Sequence, residues 1–505
     1  MKAYFSKLHG WLKLKKSLTE QLKPLFYPKS VAVIGASNNP AKWGFSIFND
    51  LLVKGFKGDL YPVNKNEERI SGITCHKSVK GISKAVDLAV VVVPAQIVPT
   101  VMEECVEKGF KTAIIISAGF RETGREGEKL EKEVVRIARR GGIRFVGPNC
   151  FGIINPFSNL STTGLMSLYI TPYVPKGSVA VITQSGNLGT FMLRRAFERG
   201  FGISKFVSSG NEADLHFEDF LEYMAKDPDT KVIAGYVEEL KEGRRFLRMA
   251  KEITEKKPIV ILKAGRTKTG HKAAKAHTGA LAGSDDVYDA CFKQAGVIRV
   301  KEIQDLFDVA VTLVSQPLPR GNRVGIVTGG GGFGVVAVDI CEEQGLEISP
   351  LTQETLQNLN QRLPPRWSQS NPVDMVGTME HSYVCIGTLL KDENVDSVLA
   401  ISSVGSPSKI FDQYPPAIRN QLVEFAEMMV EWESTRGVMG LIERIKKYQK
   451  PVILAAPPTS REESEAIRKF EQKGIVVYPT PERAIRVLAY ITKYAENRKK
   501  KKSSA

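Results

Sequence analysis

Val31-Ala-Val-Ile-Gly-Ala-Ser37, Val179-Ala-Val-Ile-Thr-Gln-Ser-Gly-Asn-Leu-Gly189 and Val324-Gly-Ile-Val-Thr-Gly-Gly-Gly-Gly-Phe-Gly334 share one plan. Each is a short apolar run that stops at a glycine-bearing turn and leads into a helix-like stretch. A run without alternation fits a strand covered on both faces, as in parallel sheets. The helix that follows would direct backbone N–H groups and a partial positive charge at whatever binds there. The three beginnings recur roughly 145 residues apart, the spacing of domains rather than of solenoid repeats. The pattern predicts an α/β protein with three Rossmann-like or flavodoxin-like doubly wound domains.

Outward from these runs, the chain divides into an N-terminal extension (1–21), a first domain (22–156), a second (168–317), a third (318–490) and a basic tail (491–505). Predicted strands include Ser30–Ile34, Gly58–Val63, Leu88–Val93, Thr112–Ser117 and Arg144–Val146 in the first domain. The second has Ser178–Ile182, Lys205–Val207, Val232–Val237 and Ile259–Lys263, and the third has Val324–Val327, Ser397–Ser402 and Pro451–Ala456. The run Arg498-Lys-Lys-Lys-Lys502 reads as disordered.

The composition is that of an ordinary globular protein, 42% apolar and 25% charged over 505 residues. A net charge of +16 suits polyanionic small ligands such as CoA or ATP, or an acidic partner subunit. No zinc finger, RNA-binding signature or aromatic-interleaved basic motif is present, so nucleic acid is not expected. Six cysteines are scattered without a CxxC or Cys/His cluster. That predicts no metal site and fits reduced thiols in the cytoplasm. The first 20 residues lack the apolar core of a signal peptide, and no apolar run is long enough to span a bilayer, so no membrane association is expected.

In the first domain, Gly35-Ala-Ser-Asn-Asn-Pro-Ala-Lys-Trp-Gly44 replaces the G-x-G-x-x-G fingerprint. After the second strand, where an acidic residue would hold the ribose of NAD, the chain reads Pro62-Val-Asn-Lys-Asn66. A lysine there favours a phosphorylated ribose, which leaves CoA or NADP. Three further segments, at Val93-Pro94-Ala95, Ser117-Ala-Gly-Phe-Arg-Glu122 and Gly147-Pro-Asn-Cys-Phe-Gly152, end strands and should line the ligand crevice. The cofactor-binding candidates are Gly35, Ala36, Ser37, Asn64, Lys65, Val93, Pro94, Ser117, Ala118, Gly119, Glu122, Asn149 and Cys150. Nothing sets Cys150 beside a base, so it reads as a buried, inert thiol.

In the second domain, Lys275-Ala-His-Thr-Gly-Ala-Leu-Ala-Gly-Ser-Asp-Asp286 frames one imidazole with small residues, and a helix is predicted from Ser284. This suits a histidine that moves or is closely approached. The alternative is an incidental histidine in a Gly/Ala-rich loop. His271 is its rival and lacks that frame, while His76, His216 and His381 read as surface or packing residues.

Taken in order, Pro28–Ser37, Tyr61–Asn64, Ser117–Phe120, Gly147–Cys150, Thr183–Gly186, Ser208–Asn211, Ala276–Gly283, Ser315–Asn322 and Asn371–Asp374 make the chain resemble the α subunit of ADP-forming acyl-CoA synthetases (acetate–CoA ligases), relatives of succinyl-CoA synthetase. The resemblance implies a CoA-binding domain followed by two succinyl-CoA-synthetase-like domains. It implies that His277 is phosphorylated during turnover and that Glu238 holds that histidine, although Glu238 alone would read as a solvated strand-end glutamate. Two glycine turns would grip the phosphohistidine: Gln184, Ser185, Gly186 and Asn187 in one, Gly330, Gly331 and Gly332 in the other. Acyl-CoA and phosphate would give acyl phosphate and CoA, and the phosphoryl group would pass through His277 to ADP. Gly329 and Phe333 stand where the family usually has Asn and Pro, and Glu212 where Met or a similar residue is usual. No G-x-x-x-x-G-K-[ST] occurs and no ATP-grasp domain follows the third domain. ATP or ADP and Mg2+ are therefore expected on a separate ATP-grasp β subunit, in an α2β2 heterotetramer acting on a small carboxylic acid. A non-catalytic CoA-binding or CoA-sensing homologue is the competing reading.

Overall fold

A computed structural model describes residues 17–164, 174–270, 272, 284–376, 379–401, 413–456 and 465–503. His277 and His271 lie outside the described residues, as does the whole of 273–283. The chain forms two compact units. The first is Met1–Arg194 with Ile203–Met249 and Lys263–Cys291; the second is Arg195–Gly202 with Ala250–Leu262 and Phe292–Ala505.

The first unit opens on helix α1 (Leu18–Phe26), which starts at a capping box in which Ser17 and Glu20 satisfy each other's backbone N–H. Five parallel strands follow: β1 (Ser30–Ile34), β2 (Asp59–Val63), β5 (Leu88–Val91), β6 (Thr112–Ile115) and β7 (Arg144–Val146), with a two-residue hairpin of β3 (Arg69–Ile70) and β4 (Ile73–Thr74) aside. Their order is β2-β1-β5-β6-β7, with Ile34 opposite both Val63 and Val91. β1 is buried at all five positions because helices cover the sheet. They include α2 (Trp43–Val53), α3 (Val98–Lys108) and α4 (Arg125–Gly141). The order reverses between β1 and β5, a topological switch point of the flavodoxin type.

A second set of strands in this unit lies in the order β12 (Val232–Val237), β10 (Lys176–Thr183), β11 (Ile203–Ser208), β8 (Gly152–Asn155) and β9 (Leu160–Ser161). The first three are parallel and the last two antiparallel. β8 and β9 were not predicted, since four and two residues carry too little pattern to read. Helices α5 (Gly186–Glu198) and α6 (Phe217–Lys226) follow β10 and β11, and α7 (Asp285–Ala295) starts one residue after Ser284.

In the second unit, β13 (Ile259–Lys263) pairs in parallel with β14 (Ile298–Val300). After α8 (Ile303–Ser315) comes a parallel sheet in the order β16 (Val373–Asp374), β15 (Val324–Thr328), β17 (Ser397–Ile401), β18 (Val452–Ala455), β19 (Val477–Tyr478), with α9 (Gly331–Glu343) behind β15. It repeats the strand order of the first sheet. A buried ionic hub joins its elements. Arg199 donates to Asp308 (2.9 Å), Glu471 (2.8 Å) and the carbonyl of Val477 (3.1 Å), and Arg483 pairs with the other Asp308 oxygen. With every charge partnered, the hub avoids the several kcal/mol an isolated buried ion would cost.

The basic run 498–502 is not a disordered tail. It belongs to α10 (Pro481–Ser503), whose inner face buries Ile491, Tyr494 and Ala495. The helix continues because its lysines find acceptors: Lys501 reaches the carbonyl of Ala295 (3.0 Å), the last residue of α7, and Lys499 that of Arg320. Cations belong at such a helix end, where carbonyls lack intrahelical partners.

One buried charge works against the fold. Glu212 is 3% exposed and left-handed (φ 55°), in a segment pressed onto Pro148 and Asn149. There Gly210 has no room for a side chain: a Cβ would stand 2.4 Å from two carbonyl oxygens. One Glu212 oxygen accepts from Ser209 (2.7 Å) and the other is buried without a hydrogen bond. Burial pushes the carboxyl from 4.5 up to about 7, against the pull of Ser209 and Gln184. A raised acid pKa makes ionisation cost folding energy, so stability should fall as pH rises from about 4.5 to 7 and stay lowered above. Glu212→Gln keeps the shape without the charge. Its unfolding free energy in urea should match the parent at about pH 4 and exceed it at pH 8, by on the order of 2–3 kcal/mol. An equal difference at both pH values would contradict this origin.

Candidate functional site

The carboxyl ends of β1, β5, β6 and β7 open onto a cleft of about 480 Å³ at the switch point of the first sheet. Gly35, Val93, Ser117, Ala118, Asn149 and Cys150 line it, six of the residues expected there. Gly35 makes the turn at φ 95°, and Asn64 holds it by donating to the carbonyl of Ala36 (2.7 Å). Lys65, next in the chain, is exposed beyond the end of β2. Ser117 donates to the carbonyl of Val93 (2.5 Å), which locks two strand ends together.

The other expected cofactor contacts are also engaged in the fold itself. Ala36 and Ser37 are buried. Pro94 precedes a short helical turn, and Gly119 faces Ala95. Glu122 accepts from the backbone N–H of Gly119 (2.6 Å) and Phe120 (3.1 Å) and from the Asn211 amide (2.6 Å). Burial acts to raise its carboxyl, but these bonds outweigh it and hold it below the usual range. The Cys150 thiol donates to the carbonyl of Ile115 (3.3 Å), and burial pushes its pKa up to about 12, so at neutral pH it is a thiol and not a nucleophile.

Sequence reasoning missed Lys42 and Trp43, which also line the cleft, as does Phe151, inside the segment Gly147–Gly152 expected there. Lys42 and Trp43 stand at the start of α2, whose first N–H groups have no side-chain cap. Gly44 was the available signal: a Cβ there would lie 1.9 Å from the carbonyl of Gly35, so the helix start must press on the turn. Phe151 meets Trp43 edge-on, with ring centroids 5.4 Å apart.

The turn after β10 is the second feature of this unit. The Thr183 hydroxyl donates to the carbonyl of Ser185 (2.7 Å) and accepts from its N–H (3.0 Å). This two-way bond closes the turn at once, and α5 starts at Gly186. Gln184 looks sideways to the neighbouring strand end. Its carboxamide oxygen accepts from the N–H of Glu238 (2.6 Å) and Glu239 (3.0 Å), and its nitrogen donates to the carbonyl of Glu239 (2.7 Å). Glu238 is thereby fixed at the β10–β12 switch point, 6% exposed, with Tyr236 donating to its carboxylate (3.2 Å). The open flank of α5 carries Asn187, which is exposed. Lys263 ends β13 with its ammonium 4.4 Å above the ring of Tyr288 in α7, which ties together the described flanks of the segment carrying His277.

In the second unit the turn after β15 repeats this construction. The Thr328 hydroxyl donates to the carbonyl of Gly330 (2.9 Å) and accepts from its N–H (3.3 Å), and α9 starts at Gly331. Both helices run 13 residues. The backbone bonds match as well: Gln184 N–H to Tyr236 and Gly329 N–H to Ile401, Ser209 N–H to Thr183 and Met375 N–H to Thr328. A Cβ at Gly330 or Gly332 would meet nothing within 4 Å, so this helix start is open. Phe333 is exposed on it. Each of these helix starts, taken by itself, is of the kind that can bind an anion. Among the described residues no three His, Cys, Asp or Glu side chains converge as a metal site would require, and no helix is long and apolar enough to cross a membrane.

Comparison with known proteins agrees with this geometry. Residues 29–156 match the CoA binding domain, and residues 176–313 the succinyl-CoA ligase like flavodoxin domain. The alpha subunit of acetate–CoA ligase [ADP-forming] II of Pyrococcus furiosus is 41% identical over 477 residues, 94% of this chain and 97% of that protein. The acetate–CoA ligase [ADP-forming] of Methanocaldococcus jannaschii is 45% identical over 71% of this chain, which covers 49% of that longer protein. The structure of dinucleotide forming acetyl-coenzyme A synthetase 1 of Ca. Korarchaeum cryptofilum, in complex with phosphate and ADP, aligns with a TM-score of 0.82 at 34% identity, over 96% of this chain and 98% of that one. With two α/β sheets of one strand order, a cleft at the first switch point and twin threonine-closed turns, the chain belongs to the family of ADP-forming acetate–CoA ligases, which are enzymes, and corresponds to their alpha subunit.

Proposed function

We propose that this chain is the catalytic α subunit of an ADP-forming acyl-CoA synthetase, interconverting acyl-CoA, ADP and phosphate with a carboxylic acid, CoA and ATP. The observation that carries the reading is the match to a ligase alpha subunit along nearly its full length. Its division of labour would follow the three domains named from sequence: 22–156 for CoA, 168–317 for the histidine, 318–490 for a second phosphate turn. CoA would lie in the cleft, its phosphates toward Lys42, Lys65 and the start of α2, where charge and free N–H groups suit them. Phosphate would lie at the Gly186 turn.

A phosphate oxygen attacks the thioester carbonyl; the C–S bond breaks, and the sulfur leaves with the electron pair and takes up a proton as CoA thiol. A neutral His277 nitrogen then attacks phosphorus and the carboxylate departs. The new P–N bond is later broken by an oxygen of ADP, giving ATP. Glu238 accepts the other ring N–H of His277, which fixes the tautomer and stabilises the charge that develops on the ring. Gln184 supports this by holding Glu238 at its backbone. Phosphoryl transfer depends mainly on positioning and charge stabilisation, and helix N-termini supply both. The nucleotide and Mg2+ would sit on an ATP-grasp β subunit in an α2β2 assembly, in the cytoplasm. The name of the P. furiosus relative, an alpha subunit, supports a partner.

Incubated with that partner, ATP and Mg2+, the chain should acquire acid-labile, base-stable phosphate, and His277→Asn should abolish it. Label surviving that substitution would contradict the role of His277, and CoA binding with no labelling in the parent would favour the sensor reading. Lys65→Ala should weaken CoA about 3- to 10-fold by calorimetry, the size of one exposed phosphate contact. Dephospho-CoA, which lacks the 3′-phosphate, should bind both forms alike. An equal loss for both ligands would remove Lys65 from that phosphate.

A further inference from the structure

Phe151 stands where two parts of the first unit meet. Its ring lines the cleft at the end of the first sheet. It also lies directly against the start of α5: a Cβ placed on Gly186 would be 2.0 Å from the ring. Trp43 meets it edge-on from the start of α2, at an interplanar angle of 85°. Its backbone is pinned, because its N–H donates to the Ser208 hydroxyl at the end of β11 (3.1 Å). The preceding residue, Cys150, is anchored on β6 through Ile115. A ring held between two helix starts, on a backbone tied to two sheets, cannot swing aside without disturbing one of them.

If CoA fills the cleft and phosphate sits at Gly186, as in the function proposed above on which this inference rests, the acyl carbon must lie between sulfur and phosphate oxygen. The C–S bond breaks as the C–O bond forms, so the carbonyl is confined to the junction that Phe151 walls. The remainder of the acyl group has to pass this ring. We propose that Phe151 sets the size of the acyl group, restricting the enzyme to short-chain carboxylic acids and excluding aryl acids. A wall of this kind discriminates by shape. In such pockets each mis-sized methylene changes kcat/KM by roughly 10- to 200-fold.

The test is a panel of acetate, isovalerate and phenylacetate, assayed for acyl-CoA formation with the complete enzyme, this chain together with its nucleotide-binding partner. The readout is the ratio of kcat/KM for phenylacetate to that for acetate, which a general loss of activity does not move. Phe151→Ala should raise this ratio about tenfold or more, and Phe151→Leu by less in the same direction. If the alanine variant does not fold, the leucine variant decides. Parallel loss on all three acids, no change, or a parent that already prefers phenylacetate would overturn the proposal. A parent that forms no phosphoenzyme from ATP would instead show that the underlying function is wrong.

Discussion

Two buried threonine hydroxyls, those of Thr183 and Thr328, decide where this protein can present a helix start. Each bonds in both directions to the residue two places on, so the chain leaves the strand and enters a helix within three residues. Threonine suits the task because one hydroxyl both donates and accepts, and its branched Cβ still belongs in a strand. The two residues are 0% and 1% exposed, and both hydroxyls would be costly to leave unpaired. The threonine closes the turn without using the first N–H groups of the helix; in α5 the Leu188 N–H donates to the Ser185 hydroxyl (3.5 Å).

Neighbouring strand ends complete the site in the first unit. Gln184 uses its whole carboxamide to bind the backbone on either side of Glu238, so the carboxylate is placed by main-chain bonds and not by its own flexible stem. The Gly186 turn and the cleft share one side chain, Phe151. The tight packing around Gly210 leaves Glu212 in a left-handed, buried position that no structural need explains. Strain of this kind lies beside the turn and not in the distant core, which fits the habit of proteins to concentrate unfavourable geometry near functional sites.

Much of this is legible in the sequence. The three beginnings could be read because continuous β-branched runs and glycine turns are local signals. The strands beginning at Ser30, Val232 and Ile259 fell where the pattern put them. The crevice could be placed because ligands in open α/β sheets lie at strand carboxyl ends. What failed to show was tertiary in origin. Lys42 and Trp43 reach the cleft from the start of α2, far in the chain from Phe151, and no spacing in the sequence relates them to it. The burial of Glu212 has no sequence signature, since the same residue type is usually exposed. The tail misled because a run of lysines reads as solvated, yet the helix under it continues on the apolar face of Ile491, Tyr494 and Ala495.

The central claim is that the threonine-closed turn after β10 holds phosphate beside Glu238. Its most direct test is a crystal structure of the protein soaked in tungstate, a heavy phosphate analogue that shows its own position by anomalous scattering. The expected result is a tungstate within hydrogen-bonding distance of the backbone N–H groups at the start of α5, lost in a Thr183→Val variant that removes the hydroxyl. A tungstate bound only elsewhere, or one bound equally well without the hydroxyl, would contradict it.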